Sequence, residues 1–147
     1  MIHKPVVFSD IDSITKMMQN FYGIDNYPFD IEVSKKLFQE FISNENLGKC
    51  WLIYLDNKIV GYVIITFIFS FEYQGRVAIL DELYIVKEYR RTGIGNLTIQ
   101  FIKEQTLLLN VKVIYLEVEN HNEKAQKLYL ANGFELHNRK TLKLKLF

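Results

Sequence analysis

Between Tyr89 and Asn96 the chain reads YRRTGIGN, two arginines and two glycines ahead of a long helical pattern. Amide N–H groups in the first turn of a helix have no partner within it and carry partial positive charge. A strand-to-helix turn of this kind can therefore bind an anion. Gly93 and Gly95 let an anion approach the backbone, and Arg90 and Arg91 can add charge-assisted hydrogen bonds. Residue type excludes two nucleotide loops. The triphosphate loop needs GxxxxGK followed by Ser or Thr, and no such run occurs; the dinucleotide fingerprint needs a third glycine where Thr98 stands. On these residues alone the stretch is either a phosphate site or an ordinary glycine turn.

A second segment bears on the choice. In ENHNEKAQKLYLANGFE, Asn122, Ala125 and Tyr129 fall on one helical face, and Gly133 stops the helix. The elements that must position both segments follow from periodicity. A helix capped by Ser9 or Asp10 runs to about Phe21, and YGIDNYPFD breaks it. A second helix fits Ile31 to about Ile42. CWLIYL and KIVGYVIITFIFSF form a hairpin around a short polar turn, and VAILDELYIV is a third strand. The helix from Gly93 carries Ile94, Leu97, Phe101 and Leu108 on one face, and VKVIYLEVE reads as a buried strand after it. Asn122 to Ala131 is helical, and FELHNRKTLKLKLF closes the chain as one or two strands. The strand–helix–strand unit needs a crossover, so its strands should be parallel, while the hairpins make the sheet mixed.

The totals set outer bounds. A chain of 147 residues is long enough for one domain with a substantial core, expected to span 1–147. Eighteen basic residues against 17 acidic ones argue against a nucleic-acid binder. One cysteine, Cys50, permits no intrachain disulfide and fits a reducing compartment. No charge-free stretch reaches spanning length, and the N-terminus lacks a signal-like apolar core, so a cytoplasmic protein away from membranes is expected. His3, His121 and His137 have no ligand-like spacing, and no metal is expected.

Taken together, Arg90-x-x-Gly93-x-Gly95 and Asn122-x-x-Ala125-x-x-Leu128-Tyr129-x-x-x-Gly133-Phe134 resemble the GNAT superfamily of N-acetyltransferases. The strand LDELYIVKEYRRTGIG and the order of elements match along the whole chain. Arg91 and Lys87 depart from the glycine and proline often found there. The resemblance implies an α/β fold: a mixed, mostly antiparallel twisted sheet flanked by helices, with a parallel strand pair splayed into a V. It implies that the anion is the pyrophosphate of acetyl-CoA, held by the backbone of Arg91, Thr92, Gly93, Ile94, Gly95 and Asn96. The pantetheine arm would run along Leu83, Tyr84 and Ile85, with Asn122 bonding it from the other side. Dimers are common among similar proteins, so a homodimer is a further expectation.

The implied reaction is direct attack of an amine on the acetyl thioester. An alkyl amine has a pKa of about 10.4, so freeing its lone pair at pH 7 costs roughly 4–5 kcal/mol, and a carboxylate can take the proton. Asp81 and Glu82 lie on the strand that should bear the thioester. In a regular strand their side chains point to opposite faces, so only one should meet the substrate unless a bulge intervenes. Tyr129 is the candidate acid for the leaving thiolate. For the acceptor, Tyr22, Tyr27, Phe29 and Tyr73 can cradle an ammonium, with Asp25, Asp30 or Glu72 supplying charge, or these aromatics cover the domain edge or a dimer contact. A small primary amine, such as a polyamine, amino acid or aminoglycoside, is the leading acceptor; the LDELYI run also resembles the spermidine, diamine and thialysine branch. A protein N-terminus or lysine acceptor, and a non-catalytic acyl-CoA-binding module, are the alternatives.

Overall fold

The computed structural model describes residues 1–147, and the chain falls into two units, Met1–Glu117 and Val118–Phe147. The first holds a five-stranded sheet in the order β1-β2-β3-β4-β5. Strand β1 is Ile2–Pro5, and a 3-10 turn at Phe8–Asp10 leads into helix α1, Ile11–Ile24. Helix α2 is Ile31–Ser43, β2 is Gly48–Leu55, β3 is Lys58–Ser70 and β4 is Gly75–Ile85. A second 3-10 turn, Lys87–Tyr89, precedes helix α3, Ile94–Leu108, and β5 is Ile114–Tyr115. In the second unit, α4 is Glu123–Ala131.

Three of the four α-helices have a local cause at their starts, while α1 follows Asp10 without a side-chain cap bond. Asp30 is the N-cap of α2, its Oδ1 accepting from the Glu32 and Val33 amides at 3.0 and 3.1 Å. Asn122 caps α4 by accepting from Ala125 N–H at 3.1 Å. Gly93 caps α3 without any side-chain bond and sits at φ 87°, in the left-handed region that glycine tolerates.

The sheet is covered on both faces. One face packs Cys50, Leu52, Tyr62, Ile64 and Tyr84 against Ile11, Ile14, Met17 and Met18 of α1 and Phe38 of α2. On the other, Ile53 and Val60 meet Ile94 of α3, and Trp51 meets Phe101 edge-on at 5.3 Å. Three ladders are antiparallel, β1–β2, β2–β3 and β3–β4, and β4–β5 is parallel. The fold is thus the mixed α/β arrangement that the sequence implies.

Three strand expectations need correction. Strand β1 is absent from the sequence reading because IHKP has no apolar alternation; the edge of β2 supplies its partner, with Pro5 at the strand end. VKVIYLEVE forms a ladder only at Ile114 and Tyr115, paired with Ala78 and Ile79. Phe134–Phe147 forms no strand, and Leu142, Leu144 and Leu146 are exposed. Alternation specifies which side chains share a face, but a strand also needs a partner edge, and sequence does not encode one locally.

Candidate active site

The register of β3 against β4 holds the main finding. Ile65 pairs with Leu80 and Ile64 pairs with Glu82, so Asp81 is an extra residue in β4. The bulge breaks the alternation and lets both Asp81 and Glu82 line the same cavity, correcting the expectation that only one would face it. This cavity, of ≈ 510 Å³, is walled by α1, the Pro28–Asp30 segment, α2 and the sheet.

At its sheet end Glu82 is held from two sides. Tyr62 donates to Oε1 at 2.8 Å and Tyr22 donates to Oε2 at 3.0 Å. Tyr62 is fully buried on β3 and packs against Tyr84 and Phe21. Burial pushes the Glu82 carboxyl above the ordinary carboxylate range, and the two phenol hydrogen bonds pull against that rise. Asp81 is also raised, by desolvation and then by the nearby Glu117 charge. Both tyrosines are pushed up, first by burial and then by the Glu82 charge, so they remain hydrogen-bond donors. Proton affinity is therefore raised on a carboxylate fixed at the cavity wall, the direction of shift that strengthens a base.

The other expected acceptor residues separate. Tyr22, Phe29 and Asp30 line the cavity with Asp81 and Glu82. Tyr27 meets the Tyr22 ring at 6.4 Å without lining the cavity, and Asp25 is not part of its wall. Glu72 and Tyr73 lie in the β3–β4 hairpin, where Tyr73 packs on Tyr115 at 6.1 Å. Sequence reasoning missed Tyr62 altogether. Its signal was a lone phenol inside VGYVIITF, since a buried tyrosine hydroxyl needs a partner.

Beyond Ile79 no strand pairs with β4 on the β5 side, so the Leu80–Ile85 edge is open there while β3 covers the other. At the end of β4, Arg90 Nε donates to the Ile85 carbonyl at 2.8 Å and its guanidinium lies 5.6 Å from the Tyr84 ring centre. Thr92 Oγ1 donates to the Tyr89 carbonyl at 2.6 Å. These contacts fasten the loop onto the strand ahead of the α3 N-terminus. A Cβ built on Gly93 meets nothing within 4 Å, so the backbone at the helix start faces open space. An open amide turn at a helix N-terminus beside an unpaired strand edge fits a ligand with a phosphate end and an amide-bearing arm. Arg91, where similar proteins often have glycine, sits at φ 64°.

In the second unit, Asn122 uses its side-chain oxygen as the cap, which leaves its amide N–H₂ as the donating end. Tyr129 packs on Phe134 at 5.7 Å, and burial raises its hydroxyl above the ordinary phenol value. Cys50 is buried and its thiol is pushed well up, so it has no thiolate character to offer. No three His, Cys, Asp or Glu side chains gather as a metal site, and no helix is long and apolar enough to cross a membrane.

The profile of the Acetyltransferase (GNAT) family matches residues 12–134. The chain belongs to this family, whose members use acetyl-CoA. It is 32% identical over 92 residues to the uncharacterized N-acetyltransferase YhfO of Bacillus subtilis (strain 168), a match spanning 62% of each chain. It is 35% identical over 75 residues to the thialysine N-epsilon-acetyltransferase of Bos taurus, covering 51% of this chain and 44% of that one. Among solved structures, a possible acetyltransferase from Clostridium difficile 630 shares the fold with a TM-score of 0.89 at 23% identity, over 99% of this chain and 97% of that one. A predicted acetyltransferase with acetyl-CoA from Clostridium acetobutylicum superposes with a TM-score of 0.82 at 17% identity, over 99% and 96%.

Proposed function

We propose that the chain is an N-acetyltransferase moving an acetyl group from acetyl-CoA to a primary amine of a small molecule, with residues 1–147 acting as one domain. The observation that carries this reading is Glu82, raised in proton affinity and clamped by Tyr22 and Tyr62 at the sheet end of a cavity. Membership in the family supplies the donor, and the match to a thialysine acetyltransferase supports a small primary amine as the acceptor.

The backbone of Arg91 to Asn96 is assigned to the pyrophosphate, and the open edge at Leu83–Ile85 to the pantetheine arm, with Asn122 donating to it. Bound acetyl-CoA supplies an activated thioester that an amine can attack directly. Glu82 takes one proton from the incoming ammonium, whose freed lone pair attacks the thioester carbonyl, and Asp81, more open to solvent, attracts that ammonium. Tyr129 is assigned by the family resemblance to the departing thiolate; with its proton held tightly by burial, it is present as the acid at neutral pH.

The test is thiol release from acetyl-CoA across polyamines, aminoglycosides, amino acids and aralkylamines. Glu82→Gln should lower kcat/KM by about 10²–10⁴-fold. Tyr129→Phe should lower kcat while coenzyme A still binds. Silence of the wild-type protein across the whole panel would refute the small-amine reading.

A further inference from the structure

The wall of the cavity narrows which amines can enter, on the reading that this cavity receives the acceptor. Val33 and Leu37 of α2 are 51% and 57% exposed. Both line the cavity, and with Phe41 they form one ridge at a spacing of four residues along the helix. The ridge gives an acceptor an apolar body to lie against. Carboxylates mark its surroundings: Asp30 at the start of α2, Glu40 near the end of α2, and Asp81 and Glu82 on the sheet. From Asp30 to Glu40 the helix rises about 15 Å. None of the lining side chains is Lys, Arg or His.

We infer that the acceptor is a primary amine on an apolar body that carries no carboxylate or phosphate, so that the cavity accepts decarboxylated amines and rejects the corresponding amino acids. The argument holds for either orientation of an amino acid. Acylation at the α-nitrogen would bring the acceptor's own carboxylate beside Asp81 and Glu82. Acylation at a side-chain nitrogen would carry it out along α2 toward Asp30 or Glu40. At neither position does the cavity wall supply a cation to balance it, and like charges facing one another across a site are strongly selected against. Asp30 cannot turn aside, because two backbone N–H groups hold its carboxylate as the helix cap. A second ammonium on the acceptor would instead be welcomed at the Glu40 end.

Matched pairs isolate the carboxylate. Calorimetric titration of the protein saturated with coenzyme A would compare pentane-1,5-diamine with lysine, and tyramine with tyrosine. The carboxylate-free member of each pair should bind at least ~10-fold tighter. Glu40→Lys, a change on the exposed rim of α2, should narrow the diamine–lysine gap several-fold, by about the effect of one reversed charge at this range. Amino acids binding as tightly as their amines would overturn the inference, as would failure of all four compounds to bind or a gap that Glu40→Lys leaves unchanged. Thiol release on the same pairs keeps this distinct from the acetyl-transfer reading. Selective binding without turnover would sink the reaction and leave the selectivity standing. Turnover of amino acids as efficient as that of amines would do the reverse.

Discussion

Replacing Tyr62 with Phe removes one hydroxyl from the core and one of the two hydrogen bonds that fix Glu82. The ring stays against Tyr84 and Phe21, so the perturbation is close to the loss of a single donor at 2.8 Å. A hydrogen bond to a charged acceptor is worth about 1.5–3 kcal/mol, and here it favours the ionised carboxylate against the burial that opposes it. Its loss raises the proton affinity of Glu82 further. The base works only when deprotonated, so the rise of kcat/KM with pH must move to higher pH in Tyr62→Phe. On the acid side of that rise the variant should lose roughly one to two powers of ten, while the alkaline plateau stays near wild type. Titration of the amine itself contributes equally to both proteins and cancels in the ratio. The assay is kcat/KM for one amine across pH by thiol release, with thermal melting to confirm that the fold survives. A loss that is uniform across pH, or a rise that stays in place, would refute the reasoning and reduce Tyr62 to a packing residue. Tyr22→Phe should move the rise in the same direction and also change KM, since Tyr22 lines the cavity.

Two glycines should respond differently to alanine. Gly93→Ala meets open space but must hold φ 87°, so it should cost about 1–2 kcal/mol of stability and weaken coenzyme A binding, read by melting and calorimetry. Gly61→Ala would drive its Cβ into the Tyr84 carbonyl and prise β3 from β4, so it should cost more than Gly93→Ala in the same melts and deplete soluble protein. His3 stacks on Phe101 at 4.0 Å and bonds Thr98 at 3.1 Å, and burial lowers its pKa to about 4 from 6.5. The unfolded chain therefore binds the proton first as pH falls, and stability should drop between about 6.5 and about 4, by about 1–2 kcal/mol once partial exposure is discounted. His3→Phe should flatten that part of the melting-temperature profile; an unchanged slope would show that other groups set it.

What the sequence made legible was chemistry carried by residue type at short spacing. The glycines of YRRTGIGN sit at the start of α3, the helix expected from Asn122 to Ala131 runs over Glu123–Ala131, and α1 and α2 lie where their apolar periodicity put them. Local signals suffice for such features, since caps, turns and helical faces are determined within a few residues. Features that depend on a distant partner were not legible. Strand β1 exists because β2 offers an edge, and the leucines of KLKLF alternate without forming a ladder. Tyr62 reads as one more core aromatic until Glu82, twenty positions later, is brought to its hydroxyl.

The pair Asp81–Glu82 shows why a site can be half read. Residue types alone suggested a base, and regular pleating would have sent one carboxylate to each face of the sheet. A choice between them then looked necessary. The bulge removes the choice, because the shift between Ile64 and Ile65 leaves Asp81 without a ladder partner and both acids on the wall of one cavity. Burial makes both carboxylates harder to ionise, with Asp81 adding to the raised proton affinity of Glu82 and Glu117 adding to that of Asp81. Straightening β4 by deleting Asp81 should therefore do more than remove one charge. It should restore alternation, move residues on one side of the deletion to the opposite face, and break either the Tyr62–Glu82 contact or the packing of Tyr84 beneath it. One inserted residue, with no mark in the composition of the strand, thus determines how many acids line the cavity and whether Asp81 adds to the proton affinity of Glu82.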